Sequence, residues 1–222
     1  MDAVRSPDAA DRWSVWQLRG YRIAKRLIDL VAATLLLLLL APLLALVALA
    51  IRLDSPGPVL FLQTRIGRGG QPFTMYKFRS MIAGASEAVH REYVTGLLCA
   101  GGAPHGQAML KVPHDRRVTR LGGILRKTSI DELPQLWNVL LGHMSLVGPR
   151  PPIPYEVDEY TPWMRRRLET LPGITGLWQV SGRAQLSLDD MFRLDVSYVE
   201  RQSLALDLKI LLLTIPTVLA VR

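Results

Sequence analysis

Hydrophobic positions along this chain are concentrated near its start. Leu30 to Ile51 carries no charge and includes six consecutive leucines, Leu35 to Leu40. An uncharged apolar run of more than about 18 residues predicts a membrane helix, and this one exceeds the roughly 7–15-residue core of a signal peptide. Pro42 divides the run and predicts a kink, because proline removes one helical hydrogen bond and crowds the preceding turn. Both flanks are basic: Arg19, Arg22, Lys25 and Arg26 precede the run, and Arg52, Arg65, Arg68, Lys77 and Arg79 follow it. Lys and Arg beside membrane segments favour the cytoplasmic side. Both flanks obey that rule if the helix enters, bends at Pro42 and returns; a plain span with a tolerated proline is the alternative. The predicted organisation is a flexible tail over 1–20, a re-entrant membrane helix over 21–53, and a cytoplasmic domain over 54–222.

Past the turn cluster at 54–58, alternation predicts strands over Val59–Ile66 and Gln71–Ser80, joined as a β-hairpin through Gly67-Arg68-Gly69-Gly70. Lys77 and Arg79 then share a strand face. Residues 83–107 are irregular, with a short helix around Glu87–Thr95, and are assigned no chemistry. A helix is expected from about Thr128 to Leu141 with Pro134 in its first turn, then an extended proline-rich segment over 148–154. Further helices are expected over Tyr155–Leu171 and Ser187–Gln202, the latter opened by a Ser187/Asp190 capping pair. Ile210–Val221 is apolar but too short to span, so it packs on the core or lies in the interface. The fold class is α+β, mainly helical: a small membrane-associated catalytic domain.

The formal net charge of +8 suits anionic lipid, phosphorylated substrates or nucleic acid without choosing among them. Cys99 is the only cysteine, which excludes an internal disulfide and a cysteine metal cluster. The chemistry-bearing feature is the acidic pair Asp131-Glu132. Ser129-x-x-Glu132 fits a capping box, and Asp131 fits a dipole-favoured carboxylate. Cations nevertheless crowd the pair: Arg126 and Lys127 before it and Arg150 after it. Arginines at a helix start make a phosphate site, and a carboxylate held there can attack phosphorus or bind a divalent cation. Oxygen ligands beside phosphate suggest magnesium. Prolines on both sides of Arg150 pre-set its backbone, and Arg183 is a further candidate phosphate ligand.

Four segments together resemble the bacterial sugar transferase family, the monotopic phosphoglycosyl transferases: Met75–Met81, Leu125–Asn138, Met144–Pro151 and Pro172–Arg183. The resemblance runs from about Tyr21 to the end and looks like the catalytic core alone. It implies a re-entrant helix kinked at proline. It also implies transfer of a sugar 1-phosphate from a UDP-sugar to polyprenyl (undecaprenyl) phosphate, with Mg2+, at the start of exopolysaccharide or other glycan assembly on the bacterial inner membrane, the catalytic domain facing the cytoplasm. By motif match Asp131 is the nucleophile and Glu132 its dyad partner, both candidate metal ligands. Lys77, Arg79, Arg126, Arg150 and Arg183 are the candidate phosphate cations, and Asp195 and Asp207 are supporting carboxylates. Expected partners are the two substrates and membrane lipids; nucleic acid is not expected, and a homodimer is compatible with the sequence. His143, Arg116 and Gln202 depart from the family pattern. A membrane-anchored basic module and a magnesium-dependent phosphohydrolase are the rival readings.

Overall fold

The computed structural model describes residues 15–99, 115–182 and 185–219. Arg183 and most of the predicted tail lie outside the described residues. The mainly helical α+β expectation holds.

Helix α1 spans Val15–Asp54 with Pro42 at an interior position. It begins six residues before the predicted boundary at Tyr21, because adding a residue to an existing helix is cheap once it is nucleated. Its two ends are fastened to the same globular body. At the N-terminal end, Lys25 pairs with Asp207 at 2.8 Å, Arg26 donates to the carbonyls of Val139 and Leu140, and Asp29 accepts from the Leu146 amide at 3.0 Å. At the C-terminal end, Val47 and Ile51 pack with Phe78 and Leu125. Between these anchorages Val31, Leu35, Leu38, Leu39, Leu46 and Leu49 are exposed. A patch of that extent is not left in water.

The hairpin forms as expected. Strand β1, Leu60–Ile66, pairs antiparallel with β2, Pro72–Phe78, with Leu60 opposite Phe78 and Ile66 opposite Pro72. Helix α2, Ala88–Cys99, follows.

The single helix expected over 128–141 is instead three pieces. Helix α3, Arg120–Thr128, is capped by the Thr119 side chain and ends where Ser129 turns left-handed, at φ 59° and ψ 16°. The Thr128 hydroxyl folds back onto the carbonyls of Ile124 and Leu125, satisfying part of that end. A 3-10 turn, Ile130–Glu132, leads into helix α4, Gln135–Leu140, with Pro134 at its N-cap. The Ser129/Glu132 capping box therefore does not form: Ser129 makes no side-chain cap bond.

Strand β3, Ser145–Val147, pairs in parallel with β4, Gly173–Thr175, a pairing the sequence pattern did not predict. Gly148 permits the approach, since a Cβ there would sit 2.4 Å from the Leu171 carbonyl oxygen. The helix expected over 155–171 is also broken. Helix α5, Pro154–Asp158, stops before Thr161-Pro162, and Thr161 then caps α6, Pro162–Arg165, which runs into a 3-10 turn at Arg166–Glu169. Proline cannot continue a helix it has not started.

Helix α7, Leu177–Val180, precedes α8, Leu188–Arg201, whose Ser187/Asp190 capping box forms as predicted. Helix α9, Leu204–Leu219, starts before the expected Ile210 and keeps Leu208, Leu212 and Ile215 exposed while Ile210 is buried. One core cluster joins Ala33 of α1, Phe73 and Met75 of β2, Leu136 and Val139 of α4, Tyr198 and Ile210. The 3-10 turn carrying Asp131 lies between α3, which belongs to the Ile51 cluster, and α4, which belongs to this one.

Candidate active site

The left-handed Ser129 redirects the chain so that Asp131 faces inward. Asp131 is 7 % exposed and lines a cleft of about 380 Å³. Lys77, Arg79, Arg126 and Arg150 line the same cleft, so five of the predicted site residues meet there. Arg126 comes from the last turn of α3, and Arg150 from the segment after β3. Neither guanidinium makes a side-chain hydrogen bond among the described residues. Glu132, next to Asp131, accepts from Lys77 at 2.8 Å. The adjacent carboxylates thus have different settings: one buried among cations, the other half-buried and tied to the hairpin.

Arg65, read in the sequence only as a flanking charge, is 4 % exposed and lines the cleft. It holds the Pro151 carbonyl at 2.9 Å and the Gln63 side chain. Burial, then the positive charge of Arg150, pulls its guanidinium down to about 10, so it stays charged at neutral pH. The hairpin register could have found it. Arg65 stands opposite Phe73, four pairs from the Phe61–Lys77 pair, and residues an even number apart on a strand share a face. Residues 83–107 also contribute, against expectation: Glu87 bonds Gln63, and His90 Nδ1 lies 2.6 Å from the Tyr155 hydroxyl. All four line the cleft. Arg117 is held by Asp115 at 2.6 Å and is another cleft cation. Leu60, Phe61 and Ile82 form an exposed apolar lip to the same cleft.

Arg79 lines the cleft too, with its guanidinium engaged at the end of α1. Its guanidinium donates to the carbonyls of Ile51, Ser55 and Pro56, closing the C-terminal end of α1, where helix carbonyls lack partners. Asp195 and Asp207 do not line the cleft. Asp195 is wholly buried 2.5 Å from Arg167, which in turn donates to the Arg150 carbonyl at 3.0 Å and to the Tyr160 hydroxyl at 2.8 Å. It supports the backbone of a cleft residue from behind. Asp207 accepts from Tyr21, Lys25 and Tyr198, which locks α9 to α1 and α8. Asp207→Ala is expected to cost about 3 kcal/mol by stranding these buried donors, with turnover retained in the folded fraction. A thermal scan in detergent, paired with product release per folded molecule, measures both. His143 lies against Phe73, ring centroids 5.7 Å apart, and does not line the cleft.

Among the described residues no group of three or more Asp, Glu, His or Cys side chains converges as a closed metal cage. Mg2+ does not need one, since it is bound through one or two carboxylates with water and substrate phosphate. The Asp131-Glu132 pair, with the cations of the cleft beside it, fits that donor set.

A family model described as bacterial sugar transferase matches residues 20–221. The chain is 47 % identical over 205 residues to a UDP-glucose:undecaprenyl-phosphate glucose-1-phosphate transferase of Caulobacter vibrioides, covering 89 % of this chain and 70 % of that protein. It is 44 % identical over 206 residues to a galactosyl transferase of Streptococcus agalactiae, covering 90 % of this chain but 43 % of that protein. An exopolysaccharide production protein of Rhizobium meliloti is 39 % identical over 196 residues, with 88 % and 85 % covered. The chain therefore spans less than half of the streptococcal relative and most of the other two.

Proposed function

Since the chain belongs to the bacterial sugar transferase family, we propose that it transfers a sugar 1-phosphate from a UDP-sugar to polyprenyl phosphate through an aspartyl-phosphosugar intermediate. A carboxylate oxygen of Asp131 attacks the sugar-bearing phosphorus of the donor. The phosphoanhydride bond breaks and UMP leaves with its electron pair. An oxygen of polyprenyl phosphate then attacks the same phosphorus, the aspartyl P–O bond breaks, and Asp131 is regenerated with a polyprenyl diphosphosugar as product. Arg126, Arg150, Lys77 and Arg65 offset the negative charge that gathers on the phosphoryl oxygens in both steps. Asp131 and Glu132 are the residues that would hold Mg2+, which when bound neutralises phosphate charge.

The observation that carries this reading is the pairing of opposites in one cleft. A buried carboxylate and several cations line the cleft together with an exposed apolar lip. That suits an acceptor whose phosphate is ionic and whose tail is hydrocarbon. The two relatives with transferase names act on a glucose and a galactosyl group, so the sugar carried here is left to measurement. Membranes containing the chain, given radiolabelled UDP-glucose or UDP-galactose and polyprenyl phosphate, are expected to release UMP and label the lipid. Labelled sugar phosphate released without any lipid acceptor would instead make the chain a phosphohydrolase.

For the membrane segment we favour a re-entrant helix on the cytoplasmic side of the inner membrane. Its apolar run is about 33 Å long at 1.5 Å per residue, which as a straight span would part the two anchorages by a bilayer's hydrocarbon thickness. Yet both anchorages bind one body, through Asp29 at one end and Ile51 at the other. Single cysteines at Gly20 and Asp54, both exposed, in a Cys99→Ser background are expected to react with an impermeant thiol reagent from the same face. Labelling from opposite faces would restore the plain span.

A further inference from the structure

A second cavity, of about 270 Å³, lies at the N-terminal end of α1. It shares no lining residue with the Asp131 cleft. Its walls come from the first turns of α1, the hairpin turn at Arg68–Gly70, and the segment around Thr170 with Gln202. Four cations face it: Arg22, Lys25, Arg26 and Arg68. Two are already committed, Lys25 to Asp207 and Arg26 to the end of α4. Arg22 and Arg68 are exposed and make no hydrogen bond or ion pair among the described residues. The two acids on the wall are engaged: Asp29 accepts from Leu146, and Glu169 reaches Arg166 at 3.9 Å. Thr170 donates to the Gln202 side-chain oxygen at 3.3 Å, which leaves the Gln202 amide nitrogen as a further donor.

Two uncommitted guanidinium groups from different elements, converging on one small cavity, repel each other unless an anion lies between them. Guanidinium groups match phosphate oxygens in geometry and charge. Arg22 stands about 12 Å before the uncharged run along the helix, at the level where lipid head groups meet water.

We propose that this cavity binds the phosphodiester of an anionic phospholipid head group, an assignment that rests on the interfacial placement of α1 given above and not on the transfer chemistry. The bound lipid fastens the first limb of the membrane helix at a set depth, while the Asp131 cleft lies by the other limb. Gln202, which departs from the family pattern, becomes a head-group ligand through its amide nitrogen.

The test uses the full-length protein in detergent with equimolar phosphatidylglycerol and phosphatidylcholine, read by native mass spectrometry. Wild type is expected to retain phosphatidylglycerol in preference. Arg22→Ala/Arg68→Ala is expected to lower that retention on the order of 25-fold, from two cations near a charged surface. Arg116→Ala/Arg120→Ala, exposed cations that line neither cavity, serves as the control and is expected to retain lipid normally. Equal retention of both lipids by wild type, or unchanged retention in the Arg22/Arg68 variant, overturns the proposal. So does displacement by glycerol 3-phosphate at the concentration of the intact lipid, which would assign the cavity to a water-soluble phosphate. UMP release measured on the same samples keeps the two readings apart, because it reports only on the Asp131 cleft.

Discussion

Asp131→Asn is expected to lower UMP release by about 10⁴-fold or more, while leaving the chain folded and its donor affinity intact. Asparagine keeps the size of the side chain and an oxygen acceptor, so the 3-10 turn between α3 and α4 has no reason to rearrange. What it lacks is a nucleophilic oxygen able to carry phosphorus. The sign of the binding effect separates this role from a passive one. Asp131 is a negative charge in a cleft lined by Arg65, Lys77, Arg117, Arg126 and Arg150. Removing it makes the cleft more positive, so a diphosphate donor should bind at least as well as before. A basic module that merely holds anions would keep its full activity in this variant. Transferase turnover should collapse without a rise in KM, and mass spectrometry of wild type mixed with donor alone should show a sugar-phosphate adduct at Asp131 that the variant lacks. UMP release at an equal rate by both chains would remove Asp131 from the chemistry. Glu132→Gln should cost less, about 10²-fold to 10³-fold, because its carboxylate is shared with Lys77 and does not form the bond to phosphorus.

Much of this arrangement was legible in the chain because its signals are local. The hairpin followed from alternation around Gly67–Gly70, and the start of α8 from Ser187 and Asp190 three residues apart. Elements whose cause is distant were not legible. Strands β3 and β4 are three residues each and exist because Gly148 and Gly173 let two segments approach; no period can be read in three residues. The break at Ser129 was missed because serine three residues before glutamate is also how helices begin. Glu132 is drawn away to Lys77 on the hairpin, and that pairing depends on tertiary contact. The carboxylates show the same division. Asp131, Asp195 and Asp207 are one residue type in similar apolar contexts, yet one faces a cleft, one supports Arg167 and one joins three helices. What distinguishes them is the partner packed against each, and a single sequence does not display partners.

The largest stability effect is expected from Arg167. This side chain is 2 % exposed, pairs with the wholly buried Asp195, donates to Tyr160 and the Arg150 carbonyl, and lies 5.1 Å from the centre of the Phe192 ring. The ion pair is close but poorly directed, so neither oxygen of Asp195 receives a well-aligned hydrogen bond. Burial accordingly dominates, raising the Asp195 carboxyl to about 6 from an ordinary 3.8, with Arg167 opposing the rise. Because the folded chain holds this proton more tightly than the unfolded one, the group's contribution to stability is complete below about pH 4. It is lost as pH rises towards 6, a difference of about 3 kcal/mol. Arg167→Met takes away the opposing charge and leaves only the desolvation that pushes the carboxyl up. Its titration then moves to higher pH, and the ionised carboxylate becomes an uncompensated buried charge. The expected penalty near pH 7.5 is about 3–5 kcal/mol, shrinking at pH 5, where Asp195 can take up a proton. Denaturation midpoints in detergent at the two pH values measure the difference. Adding Asp195→Asn to the same variant should recover stability at pH 7.5 but not at pH 5, because only the charge has been relieved. A penalty equal at both pH values would trace the loss to packing around Phe192 and Tyr160 instead. Because Arg167 also holds the backbone of Arg150, the folded fraction of Arg167→Met should show a raised KM for the donor even where its stability is restored, linking a buried ion pair to the phosphate cleft it stands behind.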